Sequence, residues 1–515
     1  MSARVVVVGG GPNGLACAAL LAAAGRPTLL LERRETLGGL AGAYEFHPGY
    51  TAPGLLPGGG ALRRRLVGEL GLARHGLRTA APPAVLAIED DGPGLLVGPA
   101  VRAELADRSA ADAEAYGDAQ AFFQRVRPFV SGLVDRPAPE LAPGGLGDWF
   151  GLFGTGLRLQ MLARRDRAEL ARLAPTAVAD WVRDRFRTER LGSLLAGAAL
   201  RGEFAGPWSP GTAANLLFAE ALGGLEAEGG GAALVQALES AARTAGAEIR
   251  TGAAVEAFVV REGRVAGVRL TGGEEIPALA TVSTLDPRRT FLEMLPAPLL
   301  PPSLDAVARN WRGHGSTAVL LLALEGSLEF AGRPGAPVAA ARSGAHLDDL
   351  ERAHDAAKYR GLADRPWLDL RVPTLASPEL APPGGHVVQM LVHGAPHDLA
   401  GGWDAAARAR LAAAALAELG RCVPALSARL VGQRLLAPPD LDAEFGTLGG
   451  HLFHGESGLD QMLSLRPCFA CSRHATPLRG LFLGGSGTHP GGGLPGASGR
   501  LAARAVLRGT VAPAR

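Results

Sequence analysis

The chain has 515 residues, 47% of them hydrophobic, which is enough for more than one sizeable core. Its 72 glycines and 38 prolines make up about a fifth of the chain, short of the share that marks low-complexity disorder, and they lack the period of collagen. With 52 basic against 50 acidic residues and no basic block, the chain does not read as a nucleic-acid binder. Residues 4–8 are a β-branched run ending in Gly9-Gly10-Gly11, residues 13–25 read as an Ala/Leu-rich helix, and 28–32 as a second short strand ending in Glu32. Strand, glycine turn, helix and strand fit the roughly 30 residues of a βαβ unit. Residues 75–220 read as mostly helical, with apolar spacing over 110–125 and 157–173. A helix is predicted over 231–245, followed by strands at 248–251, 255–260, 264–270 and 280–284. Strands at 317–324 and 386–393 and a helix at 405–420 come next. A last strand at 481–483 leads through the glycine loop 484–496 into a closing helix.

At this glycine content about 1.4 accidental GxGxxG matches are expected, so only context gives the motif meaning. Gly9, Gly11 and Gly14 have that context: a strand precedes them, a helix follows, and an acid ends the next strand. Gly9 permits the tight turn, Gly11 the approach of a pyrophosphate, and Gly14 close helix–strand packing. The N-terminus of the helix read from Asn13 offers free N–H groups and a positive dipole end to phosphates. Glu32 can accept from a ribose diol and disfavours a 2′-phosphate. Gly491, Gly493 and Gly496 match the same pattern without an acid-ended strand after them, so one dinucleotide unit is expected, not two.

Glu32 is followed by Arg33 and, six residues on, by the pair Gly38-Gly39. Here the chain resembles the glutathione-reductase-like FAD flavoproteins, which include the amine oxidases and phytoene desaturases. The run from Gly480 through Gly487-Thr488-His489-Pro490 to Pro495-Gly496 resembles the closing FAD motif of the desaturase branch. Gly450-His451-Leu452-Phe453-His454-Gly455, with Asp460 and Arg466-Pro467, is similar to the subgroup that holds the pyridine nucleotide-disulfide oxidoreductase domain-containing protein 2 group and the desaturase-like carotene ketolases. His451 stands where that subgroup usually carries Asn.

The resemblance implies an α/β fold, with a Rossmann-like FAD-binding domain from residues 1–75, 221–290 and 440–515. A mixed α+β substrate domain would come from 76–220 and 291–439. It implies FAD held by Gly9, Gly11, Pro12, Asn13, Gly14, Glu32, Arg33, Gly38, Gly39, Val255, Gly487, Thr488, Pro495 and Gly496. The implied activity is FAD-dependent removal of a hydride from a small hydrophobic substrate, polyenes and carotenoids included, with oxygen or a quinone as electron acceptor. A flavin amine oxidase and a carotene ketolase are the neighbouring readings. A flavin-binding regulatory protein with little catalysis is the reading from another class.

Side chains for the chemistry are sparse. His451, His454 and Asp460 are the candidates, though Asp460 reads more naturally as a structural acid. His451 and His454, read as part of a strand, would point to opposite faces, and no carboxylate stands at zinc-enzyme spacing, so no metal is expected. Lys358 is the one lysine, and no family motif places it beside a flavin. Among the four cysteines, none lies between Cys17 and Cys422, which removes disulfide-reductase chemistry; the Cys468/Cys471 pair lacks the context of a redox or metal motif. Met1 runs almost directly into Val5–Val8, and no stretch of 18 apolar residues occurs, so a cytoplasmic protein is expected. Leu152, Phe153, Leu157, Leu159, Met161 and Leu162 precede Arg164, Arg165 and Arg167, a pattern that fits either a packed helix or peripheral membrane contact.

Overall fold

Four consecutive valines can bury both faces of a strand only at the centre of a covered sheet. Val5–Val8 is that strand, each residue at most 4% exposed. The structure, a computed structural model, describes residues 4–89, 92–98, 101–141, 145–296 and 299–509. Its first unit contains, in chain order, β1 (Val5–Val8), α1 (Pro12–Ala23), β2 (Thr28–Leu31), α2 (Gly230–Thr244), β3 (Glu248–Arg250), β4 (Ala280–Ser283), β5 (Leu481–Leu483) and α3 (Ala497–Gly509). The five strands form one parallel sheet in the order β5-β4-β1-β2-β3. Val5 lies opposite Thr28 on one side and Ala280 on the other. On one face α1 packs between α2 and α3, and their alanines and leucines close the core over the sheet. An antiparallel ribbon of Val255–Arg261, Arg264–Leu270 and Glu275–Pro277 connects β3 to β4.

The second unit is built on a seven-stranded sheet. Its order is Leu430–Leu436, Thr317–Glu325, Gly385–His393, Leu368–Arg371, Ala340–Arg342, Val85–Ala87 and Leu95–Val97. Neighbours run antiparallel except Ala340–Arg342 with Val85–Ala87. A helical layer from Ala110–Val134 to Thr212–Leu222 packs around Trp181, Phe123 and Leu195. This is the α/β architecture expected for an FAD-binding Rossmann-like fold with a mixed second unit.

One sequence expectation holds and one changes. The stretch 75–220 is mostly helical, as expected, with the short strands Thr79–Ala80, Val85–Ala87 and Leu95–Val97 at its start. Strands of two or three residues are too short to display a period of two. The helix expected over 157–173 is two helices, Leu146–Gln160 and Arg164–Leu173. The second turns Leu173 and Asp166 into the core, where Arg125 grips Asp166 through two 2.9 Å hydrogen bonds. The first buries nothing. Among the described residues no helix is long and apolar enough to cross a membrane.

Candidate functional site

Two adjoining cavities, about 480 and 490 Å³, open where the two units meet. Leu56, Phe453, Gly493 and Leu494 line both.

The first cavity sits over the C-terminal ends of β1 and β2. Gly9 adopts φ +104°, and a Cβ there would come within 2.3 Å of Thr284 Oγ1. A Cβ on Gly14 would fall 1.9 Å from the carbonyl oxygen of Gly9, so the first turn of α1 lies directly on the strand-end loop. At Gly11, by contrast, a Cβ would meet nothing within 4 Å. That open space faces the N-terminus of α1, where free N–H groups favour an anion. Glu32 follows directly on β2 and lines the cavity; its carboxylate accepts from Gly10 N at 2.6 Å and from Arg34 N at 2.9 Å. Arg33 lines the wall and donates to the carbonyls of Ala443 and Glu444 at 3.2 and 2.8 Å. Asn13 Nδ2 donates to Ser486 Oγ at 3.1 Å, joining the two ends of the sequence across the cavity.

Of the residues expected to hold the cofactor, Gly9, Gly11, Pro12, Asn13, Glu32, Arg33, Gly38, Gly39, Val255 and Pro495 line this cavity. Gly14, Gly487, Thr488 and Gly496 do not. Gly14 and Gly496 serve packing, the latter with a Cβ position 2.5 Å from Leu66. The site Gly487 would offer a Cβ is taken by Pro287, and the Thr488 hydroxyl turns inward to Gly485 O and Ser498 Oγ, both at 2.7 Å. Their neighbour Ser486 faces the cavity instead, together with Thr284, Arg289 and Phe445.

The catalytic candidates separate. His454 lines the first cavity, and its Nδ1 is buried without a partner. His451 is buried beside it; Phe453 N donates to its Nδ1 at 3.1 Å, which leaves the proton on Nε2. Burial holds both rings well below the usual histidine range, at about 3 for His451 and about 4 for His454, so both are neutral at pH 7. The two belong to a turn after Leu448–Gly450 and not to a strand. Asp460 lines neither cavity and forms a two-pronged pair with Arg312 at 2.7 and 2.8 Å. Lys358 is exposed over the Tyr359 ring and also lines neither cavity. Cys468 and Cys471 are free thiols outside both cavities.

Glu203 was not singled out by the sequence, yet it is the notable acid of the second cavity. It is 9% exposed, and burial pushes its carboxyl up to about 7 despite hydrogen bonds from Ser457 N at 2.9 Å and Ser457 Oγ at 2.7 Å. His451 Nε2 points toward it from 3.9 Å. Its neighbour Gly202 lies against the Phe453 ring that divides the two cavities, so Glu203 sits close to the dividing wall. Arg466, fully buried, donates to the carbonyls of Glu456, Gln461, Gly455 and Ser486 at 2.8 to 3.1 Å and to that of Phe453 at 3.4 Å. It holds the 453–461 turn against the Ser486 loop.

A long cavity that runs from an α-helix N-terminus past a strand-end acid, with a chamber beside it, is the layout of a dinucleotide flavin site. The family described as "Flavin containing amine oxidoreductase" matches residues 13–507. The "Pyridine nucleotide-disulfide oxidoreductase domain-containing protein 2" of Rattus norvegicus is 32% identical over 98% of this chain and 93% of its own length. A "Phytoene desaturase (lycopene-forming)" of Pseudescherichia vulneris is 29% identical over 54% of this chain and 55% of its own. An oxidoreductase of Methanosarcina mazei shares the fold, with a TM-score of 0.61 and 16% identity over 98% of this chain and all of that one. The open space at Gly11, the Glu32 carboxylate and the orphaned His454 Nδ1 all fit a bound flavin dinucleotide. The chain therefore belongs to the flavin-containing amine oxidoreductase family and is an FAD-dependent oxidoreductase.

Proposed function

We propose that the protein dehydrogenates a largely apolar substrate seated in the second cavity. The observation that supports this reading most is Glu203, a buried acid poised near pH 7 in the wall next to Phe453. Dehydrogenation removes a hydride and a proton from adjacent atoms of the substrate. When bound, FAD supplies the acceptor for the hydride. Glu203 takes the proton, since its carboxylate is accessible from the cavity and its pKa lies near the working pH. Ser457 fixes the carboxylate through both its N–H and its hydroxyl, and neutral His451 directs an N–H toward it. Val85, Val97, Leu194, Leu195 and Phe218 supply the apolar lining. The Lys358 position speaks against chemistry that relies on a lysine beside the flavin.

The test is anaerobic. The purified protein should be yellow, release FAD, and bleach when given its substrate; a protein that carries FAD but is reduced by no candidate donor would return the flavin-binding regulatory reading.

The same reading includes delivery of an apolar substrate from an anionic lipid surface. The helix Leu146–Gln160 exposes Leu146, Trp149, Phe150, Phe153 and Leu157 along one face, with Trp149, Phe150 and Phe153 at 60, 74 and 71%. Arg164 and Arg165 are exposed just beyond it, which matches the charge of anionic headgroups. Trp149 emission should shift to the blue with phosphatidylglycerol-containing vesicles, and no shift and no co-sedimentation would end this part of the proposal.

A further inference from the structure

The second cavity has one apolar side and one strongly cationic side. Arg127, Arg201, Arg342 and Arg371 all line it, drawn from four separate stretches of the chain. Arg342 Nε and Arg201 Nε lie 3.0 and 3.1 Å from the same Asp369 oxygen, and Arg371 Nη2 lies 3.0 Å from Glu226 Oε1. Glu220, which accepts from Gln120 at 3.0 Å, faces both Arg342 and Arg127. Arg127 forms no ion pair among the described residues, and its Nε is buried without a hydrogen-bond partner. Four guanidinium groups on this side thus face three carboxyl groups, and the remaining charged lining, Arg466 and Glu203, adds one of each sign. Burial raises the Glu220 carboxyl above its ordinary range, against the opposing pull of Gln120, Arg342 and Arg127.

The donors are as telling as the charge. Each guanidinium carries five N–H groups. Together the four make four side-chain hydrogen bonds: Arg201 to Pro57 O, Arg342 to Asp369 and to Leu194 O, and Arg371 to Glu226. Donors that a bound ligand shields from water are costly unless the ligand itself accepts from them. A neutral hydrocarbon would leave them unmet, and an amine would add to the positive excess. A carboxylate meets both needs, because guanidinium forks match its two oxygens.

We propose that the substrate is an amphipathic carboxylic acid, its carboxylate held by this arginine wall and its apolar chain by the aliphatic side of the same cavity. The proposal deepens the dehydrogenase reading above and rests on it for the word substrate, but the binding it claims is measurable without turnover. The probes are dodecanoate, dodecanol, dodecylamine and dodecyl phosphate, titrated into the FAD-loaded protein by calorimetry. Dodecanoate is expected to bind at least about tenfold more tightly than dodecanol, the effect of one charge-assisted hydrogen bond or more. Arg127→Gln and Arg371→Gln should each abolish that preference while dodecanol affinity changes by less than about twofold. Arg127 forms no ion pair among the described residues, so its replacement breaks none, and retained FAD reports the fold of both variants. Equal or tighter binding of dodecanol, dodecylamine or dodecyl phosphate overturns the proposal, as does a preference that survives both substitutions. If the preference is found but no donor bleaches the flavin, the acid-binding site stands and the dehydrogenase reading falls.

Discussion

The two cavities are nearly equal in volume and share a wall, yet they are made differently. The first is made of backbone: Gly9, Gly10, Gly11, Gly38 and Gly39 bring the chain close to the ligand space, and a helix N-terminus supplies the polarity. The second is made of side chains, with Glu203, Glu220 and the arginines on one side and leucines, valines and Phe218 on the other. A backbone site tolerates little change where its glycines pack against backbone, as Gly14 does against Gly9. A side-chain site can be reshaped one residue at a time, which is how one cofactor scaffold comes to serve many substrates.

The contrast can be broken or sharpened by substitution. The largest effect is expected at Glu203. Glu203→Gln should lower the rate of flavin reduction by about 10²–10⁴-fold in single-turnover experiments while FAD content is unchanged. In the unsubstituted protein that rate should climb with pH through about 7 as the carboxyl gives up its proton. Stability should move the opposite way. The carboxyl is raised from 4.5, so the stability that its neutral form contributes is complete below about 4.5 and is lost as pH rises through about 7. Melting curves of the Gln variant should lack that loss. An unchanged rate in Glu203→Gln would remove this residue from the chemistry.

Next come two glycines three residues apart that do different work: Gly14→Ala and Gly11→Trp. The Ala methyl at position 14 would overlap the Gly9 carbonyl, and a loss of about 3 kcal/mol in denaturant unfolding is expected. Gly11→Trp projects into open space, so unfolding should be little affected while bound FAD disappears. If both variants lose stability and FAD together, the backbone cavity is less separable from the fold than described. The smallest effect belongs to Asp460→Asn. Its pair with Arg312 is exposed on both sides, so at most about 1 kcal/mol of stability and no change in flavin reduction are expected.

The first βαβ unit was legible in the sequence because every constraint in it is local: buried valines, a glycine turn, a helix and an acid within 32 residues. The closing loop was legible as a region but not residue by residue. Neighbouring residues there do not share a facing, so Ser486 reaches the cavity while Gly487 and Thr488 turn inward. Glu203 was invisible because its role comes from Ser457, 254 residues later, and from burial that no local pattern records. The arginine wall was hidden for the same reason: its members are scattered from Arg127 to Arg371 in a chain with abundant arginine. Asp460 shows the converse, a residue in a recognisable motif whose side chain does surface work.

Arg466 has a consequence for anyone who would redesign this protein. Its guanidinium fastens the turn bearing Phe453, which faces both cavities, to the carbonyl of Ser486, which lines the first cavity. Backbone adjustments made to admit a new substrate will therefore be felt by the flavin as well. Colour then becomes a screening signal: variants with a remodelled chamber should reveal themselves by a displaced flavin absorption band before any turnover is assayed.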